Sequence, residues 1–195
     1  MPFENEAAAV AAIGALPDGL VADYYRAGDL PSSIAEVEFL VAPYMAPPLP
    51  LLDRVGEMTA LRAIQLQSAG YDNYLPFLGP GMVLSNAAGV HDTATAELAV
   101  ALALVNLRRL DRFARNMPTG TWRLEFAESL ADKRVLIVGY GRIGAAIERR
   151  LAGFEVASVT RVARRPRTEP DVHPVSELKQ HLAGADVVFL ITPLT

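Results

Sequence analysis

The run Val135-Leu136-Ile137-Val138 is apolar throughout, with no polar alternation. Such a run suits a central strand of a parallel sheet that is covered on both faces. Gly139, Gly141 and Gly144 come next, and Ala145-Ala146-Ile147-Glu148-Arg149-Arg150-Leu151 then takes up a helical spacing. Downstream, residues 154–160 predict a second strand and residues 176–182 a short helix with Ser176 as its N-cap. Residues 186–191 predict a third strand. The basic, proline-containing stretch 161–171 reads as a loop. Only three strands are counted after Arg134. On that count the strand 135–138 lacks a neighbour along one edge.

Upstream the pattern is less regular. Residues 7–16 are alanine-rich and predict a helix, and Pro17-Asp18-Gly19 a turn. Residues 20–25, 38–42, 61–66 and 82–85 predict short strands. Residues 43–50 carry four prolines and predict an irregular loop. Residues 51–58 predict a short helix. The alternation of strands and helices implies a small parallel sheet. Because the chain opens on a helix, Met1-Pro2-Phe3 reads as the stump of a first strand.

One long helix is expected at 93–115, with N-cap candidates at His91-Asp92-Thr93. Arg108, Arg109, Arg112 and Arg115 lie where cations favour a helix C-terminus. Residues 98–105 are apolar at nearly every position, which predicts burial on most sides. In so short a chain a second copy is the expected cover, so a homodimer through 93–115 is predicted. Pro118-Thr119-Gly120 ends the segment, and Trp122 is expected to anchor the stretch leading into the strand 135–138.

Composition narrows the chemistry. The 195 residues hold no cysteine, which excludes disulfides, thiolate metal sites and cysteine nucleophiles. A net charge of −4 leaves no electrostatic case for nucleic acid. No basic n-region opens the chain and no apolar run could span a bilayer, so no membrane association and a cytoplasmic setting are expected.

The glycines fit G-x-G-x-x-G between a strand and a helix, the context a dinucleotide fingerprint requires. The first glycine serves a tight turn, the second a close approach to pyrophosphate, and the third close packing of helix on strand. The free N–H groups of the helix start, at Arg142, Ile143 and Gly144, would receive the pyrophosphate, which the helix dipole also favours. An NAD site calls for Asp or Glu near the end of the second strand. Here Thr160 and Arg161 stand there, with Arg164, Arg165 and Arg167 after them. Guanidinium groups bind a 2′-phosphate and a carboxylate would repel it. One charged hydrogen bond, about 1.5–3 kcal/mol, is enough for roughly a tenfold to hundredfold preference. NADP(H) is therefore expected over NAD(H).

Several segments together resemble the D-isomer-specific 2-hydroxyacid dehydrogenases. They are the strand and fingerprint 134–144, Ser68-Ala69-Gly70-Tyr71-Asp72-Asn73, Asn86-Ala87-Ala88-Gly89 with Thr95-Ala96-Glu97, Gly120-Thr121-Trp122, and the closing Thr192-Pro193-Leu194-Thr195. The resemblance implies an α/β chain in two parts: an incomplete flavodoxin-like substrate domain over 1–88, then the first half of a Rossmann NAD(P)-binding domain over 89–195. It implies hydride transfer between NAD(P)H and a small 2-keto or 2-hydroxy acid of the glyoxylate or hydroxypyruvate kind, in a cleft between the domains. Ser68, Ala69 and Gly70 would present backbone N–H groups to the substrate carboxylate. Thr95 would contact the nicotinamide end, Thr192 and Pro193 the cofactor, and Tyr44 and Met45 would shape the pocket. Relatives that act on phosphite carry lysine in place of Ala69, so that chemistry is not expected.

The same resemblance implies that the catalytic histidine, its carboxylate and the substrate arginine come from sequence beyond the Thr192-Pro193-Leu194-Thr195 turn. His91, His173 and His181 are poor substitutes, with His91 read as a capping residue and His181 as exposed. Residues 1–195 alone are expected to be inactive. The alternative is a non-catalytic nucleotide-binding or interaction module of the same fold.

Overall fold

The computed structural model describes residues 1–25, 31–44 and 53–192. The chain divides into two compact units, 1–90 and 91–195.

In the first unit, α1 (Glu6–Ile13) is capped by Asn5, whose side chain accepts from the Ala8 N–H at 3.0 Å. Three short strands, β1 (Phe39–Val41), β2 (Ala63–Gln65) and β3 (Val83–Ser85), form a parallel sheet in that order. Leu40, Ile64 and Leu66 lie in its core with Tyr25, Val55, Met58 and Leu61. The Tyr25 hydroxyl donates to the Val41 carbonyl at 2.6 Å, and burial pushes its pKa up.

Two expectations fail here. Residues 20–25 form no strand. Their polar backbone is engaged by the chain start instead: the N-terminal ammonium donates to the Asp23 carbonyl at 2.6 Å, and the Tyr25 N–H to the Met1 carbonyl at 3.1 Å. Val21, the apolar centre of that run, is 97% exposed. Within 53–58 only a 3-10 turn forms, Val55–Glu57. Gly56 at its centre is a weak helix former, and residues 51–52 lie outside the described residues.

The second unit carries a five-stranded sheet. Its strands are β4 (Arg134–Val138), β5 (Ser158–Ala163), β6 (Arg167–Thr168), β7 (Asp171–Pro174) and β8 (Val187–Leu190), in the order β6-β7-β5-β4-β8. All neighbours are parallel except the β6–β7 hairpin. Helices α2 (Asp92–Leu107) and α4 (Arg142–Leu151) cover one face. Val135 and Ile137 of β4 pack there with Ala96, Val100, Ile147 and Leu151. On the other face Leu136 and Val138 pack with Val162 and with Leu178 of α5 (Leu178–Leu182). The unbroken apolar run of β4 thus has both of its faces buried.

The strand count changes most. β4 pairs with β5 on one side and with β8 on the other, Val135 opposite Val187 and Val138 opposite Leu190. The neighbour expected to be missing is therefore β8, and the exposed edge moves outward to β8 itself, where Leu190 is 69% exposed. The stretch 161–171 is not a loop. β5 continues to Ala163, and the β6–β7 hairpin turns at Glu169-Pro170. β5 starts only at Ser158, and Glu155 before it takes a left-handed φ of 56°.

The single long helix is two. α2 ends at Leu107, Arg109 turns left-handed, and α3 (Leu110–Asn116) begins. Nor is the apolar run of α2 buried all round. Ala96 and Val100 face α4, while Leu98 and Leu102 are each 58% exposed. Trp122, expected as an anchor, is 92% exposed. Ser176 lies inside a 3-10 turn (Val175–Glu177) and makes no helix cap. Among the described residues no helix is long and apolar enough to cross a membrane.

Candidate functional site

The glycine turn lies at the C-terminal end of β4, where the order of the sheet reverses: β5 and β7 lie to one side, β8 to the other. In open parallel sheets ligands bind outside the strand ends at such a switch point. Each glycine has a separate reason to be there. Gly139 has φ 99°, and a Cβ on it would stand 2.5 Å from the Ile191 carbonyl oxygen and 3.1 Å from Thr192 Cγ2. Gly144 would meet the Gly139 carbonyl at 2.9 Å and Ile137 Cγ2 at 3.2 Å, which is the tight contact of helix on strand. Among the described residues a Cβ on Gly141 would meet nothing within 4 Å. Gly141 is the N-cap of α4 and makes no side-chain cap. The first N–H groups of that helix have no intrahelical acceptor. The glycine turn and the helix start after it form a glycine cradle.

The second helix of that face brings its own N-terminus to the cradle. Asp92 in the first turn of α2 accepts from Arg142 Nε at 2.8 Å, and Thr95 lies one turn further along. Asp92 carries no sequence signal for this role, since the contact joins residues fifty positions apart.

Thr160 and Arg161 do not end their strand. They pair with Leu136 and Ile137 in the middle of the β4–β5 ladder. Arg161 bonds Glu148 of α4 through both guanidinium arms and lies over the Tyr140 ring at 5.5 Å. Hydrogen bonding from Arg161 holds the Glu148 carboxyl below the usual range. Tyr140 is pushed up, first by burial and then by Glu148, to which its hydroxyl donates at 2.5 Å. Arg167 donates to the Tyr140 carbonyl at 2.8 Å. Arg164 and Arg165, just past the end of β5, are exposed. Thr192 borders Gly139, and Pro193 lies outside the described residues.

In the first unit, Ser68, Ala69 and Gly70 form the loop that leaves the C-terminal end of β2. Asn86 donates to the Ala69 carbonyl at 2.9 Å, and the Ala87 N–H to the Ser68 carbonyl at 3.0 Å. Ala69 and Gly70 are exposed, and their N–H groups find no acceptor among the described residues. Asn86 is the residue that sequence reasoning misses here. It holds the loop by its carbonyls and leaves the donors outward. Tyr44 is half exposed, and Met45 lies outside the described residues.

A glycine cradle at the switch point of a parallel sheet defines a dinucleotide-binding α/β protein of the Rossmann class. Residues 100–195 match the family model of the D-isomer specific 2-hydroxyacid dehydrogenase NAD binding domain, and the chain belongs to that family. A glyoxylate reductase/hydroxypyruvate reductase of Mus musculus is 34% identical over 155 residues, 74% of this chain and 47% of that protein. A D-lactate dehydrogenase of Staphylococcus aureus is 30% identical over 143 residues, 70% of this chain and 43% of that protein. Among solved structures, a D-isomer specific 2-hydroxyacid dehydrogenase family protein of Aeromonas salmonicida matches with a TM-score of 0.70 at 25% identity. That match covers 83% of this chain and 52% of the other. The chain thus spans about half the length of the relatives it matches, and a nicotinamide dinucleotide is the cofactor class of its second unit.

Proposed function

We propose that this chain belongs to an oxidoreductase that transfers a hydride between a nicotinamide dinucleotide and a small 2-keto or 2-hydroxy acid of the glyoxylate or hydroxypyruvate kind. The observation that carries the reading is the glycine cradle between β5 and β8. The names of the mouse and bacterial relatives support the substrate class. When bound, the cofactor supplies or accepts the hydride. The chain's own residues do the rest of the binding. Arg142, Ile143 and Gly144 receive the pyrophosphate through backbone N–H groups, Gly141 allows its close approach, and Thr192 and Pro193 are the further cofactor residues. Thr95 at the start of α2 contacts the nicotinamide end. The outward N–H groups of Ala69 and Gly70, with Ser68 beside them, hold the substrate carboxylate. Residues 1–90 thereby act as the substrate unit and 91–195 as the cofactor unit.

The cofactor is NADP(H) in preference to NAD(H). No acidic residue stands directly after β5, where Arg164-Arg165-Pro166-Arg167 lies. Since Arg161 is committed to Glu148, the 2′-phosphate falls to Arg164, with Arg165 in reach of solvent beside it. The exposed apolar residues of α2 and of the segment after it support a homodimer. In this reading residues 1–195 alone do not turn over, since His173 and His181 are both engaged with Glu177.

Calorimetric titration of the purified chain with NADPH and NADH tests the reading. NADPH should bind at least tenfold more tightly, and Arg164→Asp should reverse the order. Equal or tighter NADH binding would overturn the preference, and binding of neither would overturn the cradle. Reduction of glyoxylate by the chain alone would overturn the inactivity.

A further inference from the structure

We propose that His173, Glu177 and His181 form a binding site for a divalent transition metal ion of the zinc type, two strands away from the glycine turn. His173 lies on β7, Glu177 ends the 3-10 turn after it, and His181 sits one helical turn further on in α5. The spacing of four puts Glu177 and His181 on one face of that helix. One oxygen, Glu177 Oε2, lies 3.0 Å from His173 Nδ1 and 3.5 Å from His181 Nε2. The three ligand atoms are within 4.8 Å of one another. Bonds of about 2.0–2.2 Å in a tetrahedron put ligand atoms roughly 3.3–3.6 Å apart, so the ring nitrogens need only small rotations to share an ion.

Two further features point the same way. His181 Nε2 is buried without a hydrogen-bond partner among the described residues, although Glu177 stands 3.5 Å away. A ring nitrogen left so is a poor structural contact and a ready lone pair. On the far side of the other ring, Asp171 Oδ2 lies 3.6 Å from His173 Nε2. A carboxylate behind a ligating histidine fixes which nitrogen carries the proton and turns the opposite one toward the metal. At 3.6 Å Asp171 is beyond hydrogen-bond distance and favours that orientation by charge alone, with His173 Nδ1 toward Glu177.

The donor set selects the ion. Two imidazoles and one carboxylate suit Zn²⁺, Co²⁺ or Ni²⁺, whereas Mg²⁺ and Ca²⁺ take oxygen ligands. Three protein ligands leave one position for water or an anion. Glu177 is 44% exposed on its side chain, so the ion has access from solvent. Bound there, it would clip α5 to β7 and stabilise the outer part of the sheet. Because a ligating imidazole must be deprotonated, binding weakens on acidification.

The test uses the full tag-free chain, stripped with a chelator, and titrated calorimetrically with Zn²⁺ and spectroscopically with Co²⁺. One Zn²⁺ per chain is expected, with visible Co²⁺ bands of four-coordinate intensity and a raised melting temperature. His181→Ala and the near-isosteric Glu177→Gln should each weaken Zn²⁺ at least tenfold, while His91→Ala leaves it unchanged. Circular dichroism of the stripped variants identifies a folding failure, in which case Glu177→Gln carries the test. Equal Zn²⁺ affinity in the wild type and Glu177→Gln, or no stoichiometric binding by the wild type, overturns the site.

Discussion

The carbonyl oxygen of Ile191 lies 2.5 Å from where a Cβ on Gly139 would stand. The backbone just past β8 therefore closes directly on the turn at the end of β4. A side chain at 139 would have to push backbone, not a flexible side-chain tip, and would also meet a φ of 99°. Gly139→Ala is expected to cost at least about 2 kcal/mol, from conformational strain and the clash together. For a chain of this size that lowers the melting temperature by roughly 4–8 °C. An unchanged melting curve would mean that β8 does not close on this turn.

Gly141→Ala should behave in the opposite way. Its backbone is not left-handed and, among the described residues, its Cβ would meet no atom within 4 Å. Stability should change by less than about 0.5 kcal/mol, while NADPH affinity falls at least tenfold because the methyl group enters the phosphate cradle. Calorimetric titration and thermal melting of the one variant separate the two effects.

Glu148 and Arg161 tie α4 to β5 across the sheet, each with 22% of its side chain exposed. The Glu148 carboxyl is held below its ordinary range, chiefly by hydrogen bonding from Arg161. A carboxyl depressed in the folded state contributes stability that is present above its unfolded value and is lost as pH falls through the folded one. The melting temperature of the wild type should therefore fall on acidification through and below the usual glutamate range. Glu148→Gln should be less stable near neutrality and should lose less on acidification. Parallel pH profiles for the two proteins would remove the pair from the stability of the fold.

Leu98 and Leu102 lie one helical turn apart on the exposed side of α2, and Leu124 and Phe126 are almost fully exposed further on. The proposed homodimer would cover this exposed apolar surface. Light scattering of the wild type should give twice the chain mass of 21.0 kDa. Leu98→Asp with Leu102→Asp should give the monomer mass without loss of helical circular dichroism, since neither residue is in the core. A monomeric wild type at micromolar concentration would count against the pairing.

Much of the second unit is legible in the sequence because its signals are local. Val135 to Val138 has no polar residue to turn outward, so it has to be a strand buried on both faces. Three glycines at fixed spacing then leave one kind of turn. Those readings depend on residues within about ten positions of one another. Ser68 to Gly70 is legible in the same way, as a loop between two apolar runs.

The features that stay hidden in the sequence depend on contacts between distant residues. A short apolar run such as 20–25 reads as a strand, but whether it joins a sheet depends on which backbone reaches it first, and here that is Met1. Arg161 reads as a free cation because its partner, Glu148, is thirteen positions away on a helix. The β6–β7 hairpin hides in a basic stretch because its pairs carry little apolar signal. The second neighbour of β4 escapes notice because pairing across a crossover leaves no mark in either strand. By itself the sequence determined the buried strand, the glycine turn after it and the cofactor class of the second unit. Only the tertiary structure decided that β8 completes the switch point, that Arg161 is spent on Glu148, and that His173, Glu177 and His181 come together. The physical reason is the same in each case. Local sequence sets backbone preference and burial, whereas the choice of partner is made by long-range packing and charge pairing.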